Sequence, residues 1–270
     1  MRAIKITRRS TFRLAYYHFS GYIYGMNICL FSADEIARGV IEARDERARH
    51  ILKILHKTQG DSFSAGVVGG QAGTAFISAV VDGEIHFSFT GESDGKPLFP
   101  LDLVIGFPRP IQLKRLLRDA AGLGARSVHL TATELGEKSY LESNIVKDGG
   151  AQRMLLDGTA QAASTHVPAL FVHNSLDECL SVLAEKSDSL KIALDNVGAE
   201  KSLIALFPAI QSAASVTAAI GSERGWSENE RRILESAGYA RCSMGTRVLR
   251  TETAATTAMS LILGAMGFLG

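Results

Sequence analysis

A chain of 270 residues, 46% hydrophobic and 21% charged, can bury one large core or two modest ones, which excludes intrinsic disorder. Its net charge of +1 carries no global signature of a nucleic-acid partner, so any basic contact surface must be local. The three cysteines, Cys29, Cys179 and Cys242, are odd in number, far apart and without CxxC spacing, which argues against a disulfide framework and for a reducing, cytoplasmic home.

At the amino end, Arg2, Lys5, Arg8, Arg9 and Arg13 precede a stretch without formal charge from Leu14 to Ala33, the outline of a targeting segment. His18, Ser20, Asn27, two glycines and four tyrosines dilute it below the apolar density of a signal core or a spanning helix. "MNICLFSADEI" from Met26 reads instead as a first strand and a helix cap, which makes residues 1–25 an extension. A capping box of Ser32 and Glu35, followed by Ile36, Val40, Ile51 and Leu55, then predicts helix through much of residues 32–55. From Gly60 to Thr90 the runs "DSFSAGVV", "GTAFISAVV" and "EIHFSFT" predict a small β module. "GESDGKPLFP" has the composition of a linker, which puts the domain boundary near residue 96, with domains 26–96 and 97–270.

Beyond the linker, the apolar runs "LDLVIG", "SVHL", "ALFV", "LKIALD" and "SVTAAIG" alternate with the helical patterns "IQLKRLLRDAAGLG", "AQRMLLDGTAQAAS", "SLDECLSVLAEK" and "SENERRILESAG". That alternation predicts an α/β domain with a parallel sheet covered on both faces. The uncharged tail from Thr253 to Gly270 is threonine- and alanine-rich in its first half and reads as a buried terminal helix, with no membrane partner.

Several motifs exclude chemistry. "GESDG" matches a nucleophile elbow in form, but Pro97 and a new strand follow where a helix is needed. No phosphate-binding P-loop is present, and "GGQAG" lies inside the β module. The seven histidines show no HExxH or HxH pair, so no metal is expected. Cations do cluster: Arg44, Arg47, Arg49, Lys53 and Lys57 crowd the first helical region, and Arg109, Lys114, Arg115, Arg118 and Arg126 crowd a second. One basic run in each domain is compatible with an RNA-sized positive cleft. Three strand ends converge on a candidate pocket: "LDN" at 194–196, "GSERGWS" from Gly221, and "MGTRVLRTETA" from Met244.

The last two segments resemble the RsmE family, the ribosomal RNA small subunit methyltransferase E group of the SPOUT superfamily. Gly221, Glu223, Gly225, Trp226 and Ser227 match its GPEGG-[FW]-S loop, and Gly245, Arg247, Leu249, Arg250, Glu252, Thr253 and Ala254 match its LG-x-[RK]-ILR-x-ETA segment. "HILKIL" with "GD" at 60–61, and "TELGEKSY", add weaker matches, so the resemblance spans residues 26–270. It implies a PUA-like β-barrel joined to an α/β domain with a C-terminal trefoil knot, a homodimer, and methylation of a uridine N3 in 16S ribosomal RNA. It also implies S-adenosyl-L-methionine bound around Leu194, Gly221, Ser222, Gly225, Met244, Gly245, Val248 and Leu249.

For such a reaction, the spacing of Arg247, Arg250 and Glu252 beside the cofactor loop makes Arg250 or Arg247 the expected stabiliser of charge on the uracil, with Glu252 orienting the arginine or relaying the proton. The two basic runs offer Arg49, Lys53, Arg109, Lys114, Arg115 and Arg118 as RNA contacts. The chain departs from the family pattern at Ser222, Arg224, Asp119, Gly122 and Ser164. Two alternatives therefore stand beside it: an inactive RNA-binding module of the same fold, and a SPOUT methyltransferase acting on another RNA.

Overall fold

The computed structural model describes residues 27–184 and 188–270, and the reading of residues 1–25 as an extension lies outside them. The first part of the chain runs through β1 (Cys29–Phe31), α1 (Ala33–Arg38), β2 (Val40–Ile41), α2 (Glu46–Arg49), β3 (Ser62–Val67), β4 (Ala72–Val81) and β5 (Glu84–Ser93). The five strands form one sheet in the order β1-β3-β4-β5-β2, with β1 and β3 parallel and the other pairs antiparallel. Its core gathers Phe31, Phe63 and Phe87, whose ring centroids lie 5.1–6.5 Å apart.

The helix expected through residues 32–55 is broken. The Ser32–Glu35 capping box forms, but Gly39 adopts φ 62 and ends α1 after six residues. A Cβ at Gly39 would lie 2.6 Å from the Phe87 carbonyl oxygen, so only glycine permits the turn. Val40 and Ile41 then pair with His86 and Ile85, and Asp45 caps a new helix that continues as a π-turn over His50–Ile54. Strand pairing overrides helical periodicity here because it buries Ile41 against the sheet.

The second part contains β6 (Phe99–Gly106), α3 (Pro110–Gly122), β7 (Ala125–Thr131), α4 (Asn144–Lys147), α5 (Gly150–Gln161), β8 (Ala169–His173), α6 (Leu176–Leu183) and β9 (Ser189–Leu194). After these come β10 (Lys201–Ser202), α7 (Phe207–Ser212), β11 (Ser215–Ile220), α8 (Glu228–Ser236), β12 (Ala240–Ser243) and α9 (Thr251–Ala265). The sheet is parallel throughout, in the order β10-β12-β9-β11-β6-β7-β8. As the near-continuous apolar runs predict, both faces are buried. Leu101, Leu103 and Ile105 of β6 join the core under α3, α5 and α9, while Val104 joins Cys179, Trp226, Leu234 and Tyr239 under α6 and α8. Each such aliphatic side chain contributes about 1.5–3 kcal/mol on burial.

Helix α5 ties the two sheets together. Ala160 packs with Ile28 and Leu30, the Asn27 N–H donates to the Ala160 carbonyl at 3.3 Å, and Arg153 pairs with Glu46 at 3.1 Å. Just beyond the helix, the Gly69 N–H donates to the Thr165 carbonyl at 2.8 Å and the Thr165 hydroxyl donates to the Gly70 carbonyl at 2.6 Å. Among the described residues no helix is long and apolar enough to cross a membrane.

Candidate cofactor and RNA site

Strands β12, β9 and β11 are neighbours in the parallel sheet, so their carboxyl ends place the three loops after Leu194, Ile220 and Ser243 side by side. The middle loop is built by glycine. At Gly221 a Cβ would stand 2.9 Å from the Gly225 carbonyl carbon, and at Gly106 it would stand 2.5 Å from the Ser222 nitrogen. Gly225 closes a tight turn at φ 73, its N–H donating to the Ser222 carbonyl at 2.8 Å. Ser222, where the family pattern has proline, is buried in this turn, and Arg224 points to solvent.

Below the loop, Ser227 and Glu230 form the capping box that starts α8. Glu230 also accepts the Glu134 N–H at 2.9 Å, and Glu134 accepts from the Ser227 hydroxyl and from Asn229 at 2.7 Å. The "TELG" segment after β7 is thereby fastened to the helix that follows the glycine loop. The Leu194 carbonyl accepts the buried Trp226 indole N–H at 3.1 Å, so that carbonyl is already engaged.

Asp195, next along the chain, is a charge hub: it takes Arg231 at 2.7 Å and Arg241 at 3.2 Å. Burial alone would raise its carboxyl, but the Arg231 guanidinium, the Val197 N–H and Arg241 outweigh that and hold it below the ordinary carboxylate range. This hub locks the β9 end to α8 and β12.

The third loop is open. Gly245 has φ 108, Thr246, Arg247 and Arg250 are exposed, and Val248 is 83% exposed. Val197 after β9 and Ile204 after β10 are exposed apolar side chains as well. Arg247 and Arg250 make no ion pair among the described residues. Glu252, in the first turn of α9, is buried at 8% exposure, and its Oε2 has no hydrogen-bond partner among the described residues. Such a carboxylate is expensive to leave unsatisfied, although the amino end of α9 favours its charge.

The expected RNA-facing cations separate into two kinds. Arg49, Lys53, Lys114 and Arg115 are exposed and without an ion pair among the described residues. Arg109 is held at the glycine loop, where Glu223 accepts its N–H at 3.0 Å and faces its guanidinium at 3.8 Å, and Arg118 pairs with Asp157 at 3.4 Å. The Glu46–Arg153 and Asp157–Arg118 pairs lead from α2 along α5 to α3, so both basic runs border the same helix. Two family departures acquire a reason. Asp119 accepts the Thr256 hydroxyl at 2.7 Å and ties α3 to α9, and Ser164 donates to the Lys96 carbonyl at 3.3 Å between β5 and β6. Neither contact is visible in linear spacing.

Residues 94–263 match the family profile described as an RNA methyltransferase domain. Ribosomal RNA small subunit methyltransferase E of Treponema pallidum is 40% identical over 245 residues, covering 88% of this chain and 91% of that protein. A methyltransferase E 1 of Borreliella burgdorferi is 32% identical over 240 residues, covering 88% of this chain and 97% of that protein. Among solved structures, a Legionella pneumophila methyltransferase in complex with S-adenosylmethionine aligns with a TM-score of 0.75 at 21% identity, over 90% of this chain and 98% of that one. The methyltransferase E of Neisseria gonorrhoeae, bound to S-adenosylmethionine, aligns with a TM-score of 0.70 at 19% identity, over 88% and 97%. These structural likenesses establish a shared α/β fold.

Proposed function

Because this chain belongs to the ribosomal RNA small subunit methyltransferase E family, we propose that it is a methyltransferase using S-adenosylmethionine to modify N3 of a uridine in 16S ribosomal RNA. The loop cluster fits such a cofactor: glycines clear the approach to the backbone, and exposed Val248 offers an apolar side chain. Leu194, Gly221, Ser222, Gly225, Met244, Gly245, Val248 and Leu249 would hold it. When bound, it supplies an electrophilic methyl group.

The protein's own task is to position the uracil and manage charge. N3 of uracil carries a proton at neutral pH, so its loss leaves negative charge spread over the flanking oxygens. Arg247 or Arg250, both exposed on the third loop and not spent on a carboxylate, meets that charge. Glu252 offers a buried acceptor two residues beyond Arg250, to orient the arginine or take the proton. The observation that carries this reading is the pair of exposed guanidiniums, unpaired among the described residues, on the loop into α9, followed in its first turn by a buried carboxylate with an unpartnered oxygen.

We assign residues 26–96 to the PUA-like, barrel-type RNA-binding domain and 97–270 to the SPOUT domain. The register shifts in the β4–β5 pairing support curvature of the first sheet. A trefoil knot is supported by α9, which leaves β12 near one edge yet packs on α3 and α7 and against β11 and β6. The active form is a cytoplasmic homodimer.

Nucleosides from the 16S RNA of a deletion strain test the target. Loss of 3-methyluridine is expected, and an unchanged level would overturn the ribosomal assignment in favour of another RNA. Titration calorimetry with S-adenosylmethionine tests the enzyme reading, since absence of binding by folded protein would leave an RNA-binding module.

A further inference from the structure

The structure gathers an N,N,S donor set in the α6–α8 layer, three strands away from the glycine loop. Buried His129 of β7, His173 of β8 and Cys179 of α6 bring Nδ1 or Nε2 and Sγ atoms to within 4.8 Å of one another. We propose that these three residues bind a zinc ion or a comparable borderline divalent cation, with a fourth position left to water. The donor set disfavours magnesium and calcium, which take oxygen ligands.

A row of hydrogen bonds prepares one ligand. Asp102, fully buried, pairs with Arg126 and accepts the Ser127 hydroxyl at 2.5 Å. The Ser127 proton being spent there, its oxygen accepts from His129 Nε2 at 3.1 Å. That fixes the His129 proton on Nε2 and turns the lone pair of Nδ1 toward His173, whose Nε2 lies 3.0 Å away. A histidine oriented through its far nitrogen by a hydroxyl and a carboxylate is the arrangement that metal-ligating histidines require.

Binding replaces protons, and the balance is simple. His173, which burial keeps readily neutral, moves its single proton from Nε2 to Nδ1 and offers Nε2. Cys179, whose thiol burial pushes up to about 12, gives up its proton as thiolate. One proton is released per cation bound, and the new thiolate offsets one of its two charges. The Glu178 carboxylate is close enough to act electrostatically on both His173 and Cys179.

The ion would join β7, edge strand β8 and α6, where Phe171 and Val172 leave the sheet margin exposed. Strand spacing of about 4.8 Å puts β8 roughly 14 Å from β11, so occupancy is readable without methyl transfer.

Cobalt(II) added to the full-length chain purified free of metal is the probe. The expected result is about one equivalent bound, with tetrahedral visible bands and a near-ultraviolet thiolate-to-cobalt band that Cys179→Ala abolishes. Ser127→Ala should keep the thiolate band and weaken binding about 10- to 100-fold. Zinc should compete and raise Tm. No uptake by the folded wild-type chain, uptake without the thiolate band, or a band that persists in Cys179→Ala would each overturn the site.

Discussion

Arg250 and Arg247 look alike in sequence and in exposure, so on the proposed function only the reaction can tell which of them would meet the uracil. Replacing the charge-stabilising arginine by alanine should slow single-turnover methylation about 10²- to 10³-fold while cofactor binding measured by calorimetry stays intact. If Arg250→Ala and Arg247→Ala both kept the full single-turnover rate, neither guanidinium would stabilise the uracil charge. Gly221 belongs to the same scale. Its Cβ would meet backbone rather than a flexible side chain, so Gly221→Ala should cost about 1–3 kcal/mol and lower Tm. The same variant should bind S-adenosylmethionine more weakly, because the loop must shift to admit the methyl group.

At the scale of elements, the Asp195 hub decides how β9, α8 and β12 are held. The Arg231 and Arg241 side chains both keep some exposure, 14% and 20%, so Asp195→Ala should cost about 2–3 kcal/mol, below the range for a fully buried pair. Its pH dependence has a definite sign. A carboxyl held below its ordinary value binds its proton more readily in the unfolded chain, so the contribution is complete above about pH 4 and disappears as pH falls through the lowered native value. Acid titration of Tm should show a smaller decline in Asp195→Ala than in the wild type, because Glu35 and Glu134 are also held below the ordinary carboxylate range and titrate in both. The capping boxes at Ser32 and Ser227 were legible as sequence, since each depends on residues three apart. The break at Gly39 was not, because its cause is the Phe87 carbonyl, far along the chain.

For the whole molecule, the question is how one RNA can touch both halves. Helix α5 carries Arg153 and Asp157, one turn apart on the same face, which hold Glu46 of α2 and Arg118 of α3 beside one another. On the proposed function, RNA laid along this margin would meet the exposed cations Arg49 and Lys53 and then Lys114 and Arg115. Replacing Arg49 and Lys53 by alanine should reduce the slope of log affinity against log salt by about 0.7–0.9 for each phosphate no longer neutralised, with the methyl-transfer rate at saturating RNA unchanged. Arg118→Ala should alter that slope less, its charge being shared with Asp157. Binding measured from low to high salt separates these outcomes.

Local spacing determined much of this protein: the alternation of a β module and a parallel α/β domain, the helix caps, and the glycine-rich and arginine-rich strand ends that carry the family likeness. Those features depend on residues within a few positions of one another, where backbone geometry alone dictates the pattern. Tertiary structure alone decided which charges are committed. Arg109 to Glu223, Arg118 to Asp157 and Asp119 to Thr256 bridge 114, 39 and 137 positions. It also decided that scattered His129, His173 and Cys179 share one buried point. A parallel sheet brings together residues from separate βα units, and the spacing between those units is set by loops and helices that leave no periodic trace.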